Sequence, residues 1–359
     1  MIEKIYPIFA MTAFSLLFLS SAMASPIPSA QPQSEKPVVK IMATGGTIAN
    51  TTGGRISGDA LVEAIPQLGE VATVRVENFS RVASGRLTPK LWLGLAKRIN
   101  QIFATEKDVS GVIVTQGSNT VEETAYFLNL TVLSDKPVVV TGAQRRHGTL
   151  SADGDKNLLD SLRVASSMEA RGKGVLVVAS ESIHSARDVV KRVSRRPDTW
   201  ESPDLGVLGM VDADQVSFYR APTRRHSAQS EFDVSALNEL PRVDIIYSYA
   251  GADGTLVNAA VVQGKAKGLV VAAFGTGSPA DPVEGPNQHE TLKKVSDSGV
   301  VVVITNRGGK GRIVKAGSTT HPSYISGDNL SAQKARILLM LALAKTSALD
   351  EIQRIFDEY

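Results

Sequence analysis

Two hydroxyl-bearing glycine turns carry most of the chemistry that this 359-residue sequence can offer. The first, Thr44-Gly45-Gly46-Thr47, closes the apolar run KIMA, and the second, Gln116-Gly117-Ser118-Asn119-Thr120, closes GVIVT. A buried strand that delivers its last residues to the carboxyl edge of an α/β sheet leaves the following turn where ligands bind. Glycines there let the backbone approach a ligand closely, while Thr47 and Ser118 supply hydroxyls. Two such turns can face each other across one crevice. A phosphate cradle is the blander reading, but neither GxGxxG nor GxxxxGK[ST] follows the first turn.

Thr120-Val121-Glu122-Glu123 reads as a capping box. It starts a helix directly after the second turn and leaves spare backbone N–H donors near Ser118 and Asn119. The five histidines, His147, His184, His226, His289 and His321, show no metal-ligand spacing, and no GxSxG elbow is present, so zinc hydrolysis and Ser-His-Asp catalysis are set aside. The absence of cysteine removes thiol nucleophiles, disulfides and Cys-ligated metals. Gly275-Thr276-Gly277 reads as a tight connection rather than a pocket wall.

Short continuous Val/Ile runs must hold these turns, and such runs suit parallel strands buried on both faces. They predict strands over 38–43, 72–76, 111–115, 137–141 and 174–179, with helices over 59–65, 89–105, 120–130 and 157–169. A polar, irregular stretch, 221–241, reads as a linker. Beyond it the alternation resumes with strands over 243–249, 268–274 and 299–305 and a closing helix over 331–345. The expected fold is therefore α/β, with two doubly wound parallel-sheet domains, a larger one over 37–220 and a smaller one over 242–359.

The amino terminus reads as a leader. Lys4 precedes an apolar stretch, and Ser21-Ala22-Met23-Ala24 has the small-x-small pattern of a signal-peptidase site, so residues 1–24 are expected to be removed. A Pro/Ser/Gln-rich segment, 25–36, follows as a disordered spacer. Export to the periplasm is the consequence. A net charge of +3 is too mild, and 5% aromatic content too low, to support a nucleic-acid partner. No membrane contact is expected after processing. A small molecule is the expected partner.

The turns and their surroundings resemble the bacterial L-asparaginases, in particular the exported type II branch. The first run carries the whole TGGTIA signature, and AIPQL, LWLGLAKRIN, VEETAYFLNLTV, KPVVVTGAQR, SADG, RDVVK, FDVSALNELP and QKARILL extend the likeness from about residue 37 to the carboxyl end. The resemblance implies hydrolysis of an asparagine side-chain amide to aspartate and ammonia, without a cofactor, in a homotetramer whose sites lie between subunits. It makes Thr47 the nucleophile on a mobile loop, Lys191 the base of a proton relay, and Ser118 the relay hydroxyl in place of a threonine. Backbone N–H groups of the turns around Gly46 and Gly117 would hold the oxyanion, and Ser84 would bind the substrate carboxylate.

The chain departs from that family pattern at the substrate amine. HGTDT is replaced by QGSNT, so Asn119 stands where an aspartate meets the α-ammonium, and Gly85 stands where a glutamine gives a second contact. The loop after TGGTIA is shortened, and no tyrosine lies between Ile48 and Glu77. Free L-asparagine should lose affinity accordingly. Two competing readings are therefore retained: an amidase for substrates lacking a free α-ammonium, and a non-catalytic periplasmic binding protein on the same fold.

Overall fold

The computed structural model describes Met1 and residues 35–285, 287–315 and 321–359. The expected leader and nearly all of the spacer lie outside the described residues. Eight strands form the larger sheet: β1 (Val38–Ala43), β2 (Thr73–Asn78), β3 (Val109–Thr115), β4 (Val138–Thr141), β5 (Val175–Ala179), β6 (Ser182–Ser185), β7 (Gly209–Val211) and β8 (Val216–Phe218). Their order is β8-β7-β6-β5-β4-β3-β1-β2. The strands β1 to β5 pair in parallel, whereas β6, β7 and β8 add antiparallel neighbours. Those three strands have no counterpart in the sequence expectation. They have three or four residues each and mix polar with apolar side chains, so they lack the Val/Ile runs that identify the buried strands.

The second sheet, with strand order β9-β10-β11-β12, is parallel throughout and consists of Val243–Tyr247, Gly268–Ala273, Val301–Asn306 and Ile325–Ser326. Helices cover the sheets as a parallel arrangement demands. On one face of the larger sheet lie α2 (Pro89–Thr105) and α3 (Val121–Thr131), and on the other lie α1 (Gly58–Glu63) and α4 (Gly154–Ser166). In the smaller domain α5 (Gln288–Asp297) packs on one side of the sheet, and α6 (Ala332–Lys345) and α7 (Leu349–Glu358) pack on the other. Among the described residues no helix is long and apolar enough to cross a membrane.

One apolar cluster runs through both sheets: α2 and α3 share it with α6 and α7, including Tyr126, Phe127, Leu338, Leu339, Met340 and Phe356. Each fully buried Leu, Phe or Met contributes roughly 1.5–3 kcal/mol, so this shared core couples the two halves. It also explains residues 221–241, which are irregular but place His226, Phe232 and Val234 against the core. The capping box does not form. Thr120 makes no side-chain cap bond; its hydroxyl donates instead to the Ser84 carbonyl at 3.3 Å and accepts from Gln116 Nε2 at 3.0 Å. The turn after β10 is the tight connection expected of it, closed by Gly277 N donating to Phe274 O at 2.8 Å.

Candidate active site

Register brings the two glycine turns together. Ala43, the last residue of β1, pairs with Thr115, the last residue of β3, so both strands deliver their turns at the same level of the carboxyl edge. The pairing continues one residue further, where Thr44 donates to the Thr115 carbonyl through its N–H (3.0 Å) and its hydroxyl (2.8 Å). The backbones then press against each other. A Cβ on Gly46, whose φ is +89°, would lie 2.0 Å from the Gly117 nitrogen, so residue 46 must be glycine on both counts. Thr47 and Ser118 are thus the next residues of two abutting turns.

Thr47 begins a short 3-10 turn, Thr47–Ala49, and is half-buried, whereas Ile48 and Ala49 beside it are buried and anchor the turn. Ser84 enters from the segment after β2. That segment docks on the first turn through Val82 N and Ser80 Oγ, which donate to the Thr44 carbonyl at 3.1 and 2.9 Å. Ser84 is buried, and a Cβ on Gly117 would meet its Oγ at 2.8 Å. The position beside it, Gly85, is exposed, and a Cβ there would meet nothing within 4 Å.

Lys191 reaches the second turn from another direction. It lies in a two-residue strand, Val190–Lys191, paired with Trp200–Glu201, and this ladder holds its backbone extended. Its Nζ donates to Ser118 Oγ at 2.8 Å and to Asn119 Oδ1 at 3.2 Å. Burial pulls the Lys191 ammonium below its ordinary pKa, and the nearby Glu122 carboxylate opposes that shift. Because Lys191 can only donate when charged, it orients the Asn119 amide: the oxygen faces the lysine and the NH2 group is left for a ligand.

Glu122, an interior member of the expected capping box, has a long-range partner. Its Oε2 accepts the Lys191 backbone N–H at 2.7 Å, and the carboxylate is buried. No local signal marks this contact, because the two residues are 69 positions apart. Arg55 does not take the place of the absent tyrosine in any described hydrogen bond with Thr47. It donates to Asn50 Oδ1 and to the Arg81 carbonyl, both at 2.8 Å, and so ties the shortened loop to the segment carrying Ser84. Thr47, Gly46, Gly117, Ser118, Asn119, Ser84 and Lys191 are therefore gathered at one sheet edge, although they come from four separate stretches of chain.

Fold and site together define a two-domain α/β protein with paired hydroxyl turns at the carboxyl edge of its larger sheet. Family comparison identifies which one: residues 38–224 match the family model "Asparaginase, N-terminal" and residues 242–356 match "Glutaminase/Asparaginase C-terminal domain". The chain belongs to the asparaginase family. It is 42% identical over 341 residues to "L-asparaginase 2" of Bacillus subtilis (strain 168), covering 92% of this chain and 89% of that one. It is 38% identical to "L-asparaginase 2" of Escherichia coli (strain K12), covering 90% and 93%. Among solved structures it resembles a probable cytoplasmic L-asparaginase from Campylobacter jejuni, with a TM-score of 0.84 and 41% identity over 90% of this chain and 100% of that one.

Proposed function

We propose that this protein is an amidohydrolase that converts L-asparagine to L-aspartate and ammonia through a threonine acyl-enzyme. The hydroxyl of Thr47 attacks the side-chain carbonyl, and its proton passes toward Ser118 and Lys191. The tetrahedral oxyanion is met by backbone N–H groups of the two glycine turns. The relay passes that proton to the amide nitrogen, and collapse of the intermediate expels ammonia and leaves aspartyl bound to Thr47 as an ester. Water then adds to the ester, gives its proton to the same relay, and releases aspartate with Thr47 restored.

The observation that carries this reading is the 2.8 Å contact between Lys191 Nζ and Ser118 Oγ, in the turn that abuts the one bearing Thr47. Burial lowers the Lys191 pKa, which raises the neutral fraction able to accept a proton. Membership of the asparaginase family and the names of the relatives support the same substrate. Ammonia release from L-asparagine by the purified protein is expected, and Thr47→Ala should abolish it with an unchanged melting temperature. A Thr47→Ala protein that keeps most of its turnover would place the nucleophile elsewhere. Absence of turnover on any amide would favour the binding-protein reading instead.

A second reading, on substrate range, is favoured by Asn119 and Gly85. Position 119 offers an NH2 donor where an ammonium needs an acceptor, and position 85 leaves open space beside Ser84. Both features suit an asparagine whose α-nitrogen is acylated, with the acyl oxygen on Asn119 and the acyl group over Gly85. N-acetyl-L-asparagine should then be hydrolysed with a kcat/KM at least equal to that of L-asparagine. A strong preference for free L-asparagine would reject it. Homotetrameric assembly and a periplasmic location complete the proposal; the leader expected from the sequence supports export, and one relative, from Haemophilus influenzae, is named a probable periplasmic L-asparaginase.

A further inference from the structure

Lys334 is a fully buried lysine that the proposed chemistry does not use. It sits in the first turns of α6, in the smaller domain, and is 1% exposed. A buried ammonium is costly unless it is paired and hydrogen-bonded, so its partners reveal its purpose. Its Nζ donates to the carbonyl of Arg187 at 2.7 Å and also to the carbonyl of Val189. Both acceptors belong to the short segment that carries Lys191 into the site. Two residues beyond Val189, the N–H of Lys191 itself is taken by Glu122 Oε2 at 2.7 Å.

We propose that Lys334 and Glu122 are positioning residues for Lys191, a clamp that grips segment 187–191 from two sides and holds the Lys191 amine on Ser118. This rests on Lys191 acting as the relay base proposed above. The two grips come from different elements, the carboxylate from α3 just after the second turn and the ammonium from α6. Helix packing between α3 and α6 in the shared core therefore sets where Lys191 lies. The smaller domain reaches the reaction through this contact.

The clamp is also electrically linked to Lys191. Glu122 favours the charged form of both Lys191 and Lys334. Burial pushes Lys334 down to about 8, with Glu122 and Asp188 opposing and Arg187 assisting. Glu123, itself raised by burial and by Glu122, the buried His184 imidazole, pushed down to about 4 by burial and then by Lys334, and the Tyr126 ring, 6.0 Å from the Lys334 nitrogen, also face this cluster. Removing the Glu122 charge therefore lowers the Lys191 pKa, which a purely structural role for Glu122 would not do.

The test uses the full-length protein and the pH dependence of ammonia release from L-asparagine. Lys191→Met is made first: if it remains active, the relay reading itself fails, whatever the clamp does. With Lys191→Met inactive, Lys334→Met, close in shape and apolar, should lower kcat by roughly tenfold or more with KM little changed. Its melting temperature should fall, because the Arg187 and Val189 carbonyls lose their donor, so kcat is read at a temperature where circular dichroism shows the variant folded. The ascending limb of kcat should move to lower pH in Glu122→Gln, whose amide oxygen can still accept the Lys191 N–H. If Lys334→Met does not fold, Glu122→Gln alone decides. Parental kcat in folded Lys334→Met and an unmoved ascending limb in Glu122→Gln overturn the clamp.

Discussion

Replacing Asn119 with aspartate changes one uncharged group at the edge of the site into a carboxylate, and its effects can be worked out from two neighbours. The first is the substrate. Its α-ammonium would gain a charge-assisted hydrogen bond, typically worth about 1.5–3 kcal/mol, but position 119 is exposed and solvent screening reduces the gain. An effect of about 1.4 kcal/mol, tenfold in kcat/KM for L-asparagine, is the expected size. Gly85→Gln should add to it, because Gly85 does not have a positive φ and a Cβ there meets nothing within 4 Å. The second neighbour is Lys191, whose Nζ lies 3.2 Å from Oδ1. An anion there favours the ammonium, so the Lys191 pKa rises and the ascending limb of the pH profile moves to higher pH. Rates must therefore be compared on each variant's plateau. The assay is initial-rate ammonia release for the parent, Asn119→Asp, Gly85→Gln and the double variant, with N-acetyl-L-asparagine as the substrate lacking the charge. A fall in KM alone would mean uniform binding of substrate and transition state, whereas a rise in kcat would implicate the relay. The gain should shrink or reverse for the acetylated compound. If the double variant shows no improvement on L-asparagine over a parent of substantial activity, the argument from the missing amine contacts is refuted.

Other expectations follow from assembly, processing and charge. Light scattering should report a homotetramer, and a fully active monomer at low concentration would contradict a site completed by a neighbouring subunit. Mass analysis of exported protein should give Ser25 as the first residue, with recovery of intact Met1 in the membrane fraction as the contrary result. Acid should weaken the fold partly through Glu77, which the Arg98 guanidinium, bonded at 2.8 Å, and then Lys40, at 3.1 Å, hold below its ordinary value of 4.5. The lowered folded pKa means that this contribution is complete above 4.5 and is lost as pH falls through the depressed value. Urea unfolding of Glu77→Gln should show a shallower loss of stability below that pH, and an unchanged slope would remove Glu77 from the cause.

The legible parts of this protein were those written in contiguous residues. β1, β3 and β4 are Val/Ile runs, Pro89–Thr105 has Thr88 as an accepting N-cap and Pro at its start, and the glycine turns announce themselves by composition. Burial on both faces is enough to select such strands whatever lies beyond them. The short antiparallel strands β6 to β8 escaped because three or four mixed residues have no strong local preference and pair only once a neighbouring edge exists. Helix α7 escaped too, although its apolar face is set by Ile352, Ile355 and Phe356, which are buried against the shared core.

At the site the division is sharper. The identity of Thr47, Ser118 and Asn119 follows from the turns, and Lys191 and Ser84 from family resemblance, but their meeting depends on contacts between distant residues. Thr44 and Thr115 are 71 positions apart, Lys191 and Ser118 are 73 apart, and Lys334 and Arg187 are 147 apart. Local sequence carries hydrophobic period and turn chemistry, which act over a few residues. Register between parallel strands and the packing of α3 on α6 are cooperative properties of the whole core, and they decided that Thr120 would bond to Ser84 rather than cap its helix. They decided as well that Glu122 would hold Lys191, because burial left its carboxylate needing a donor that only a distant segment could bring.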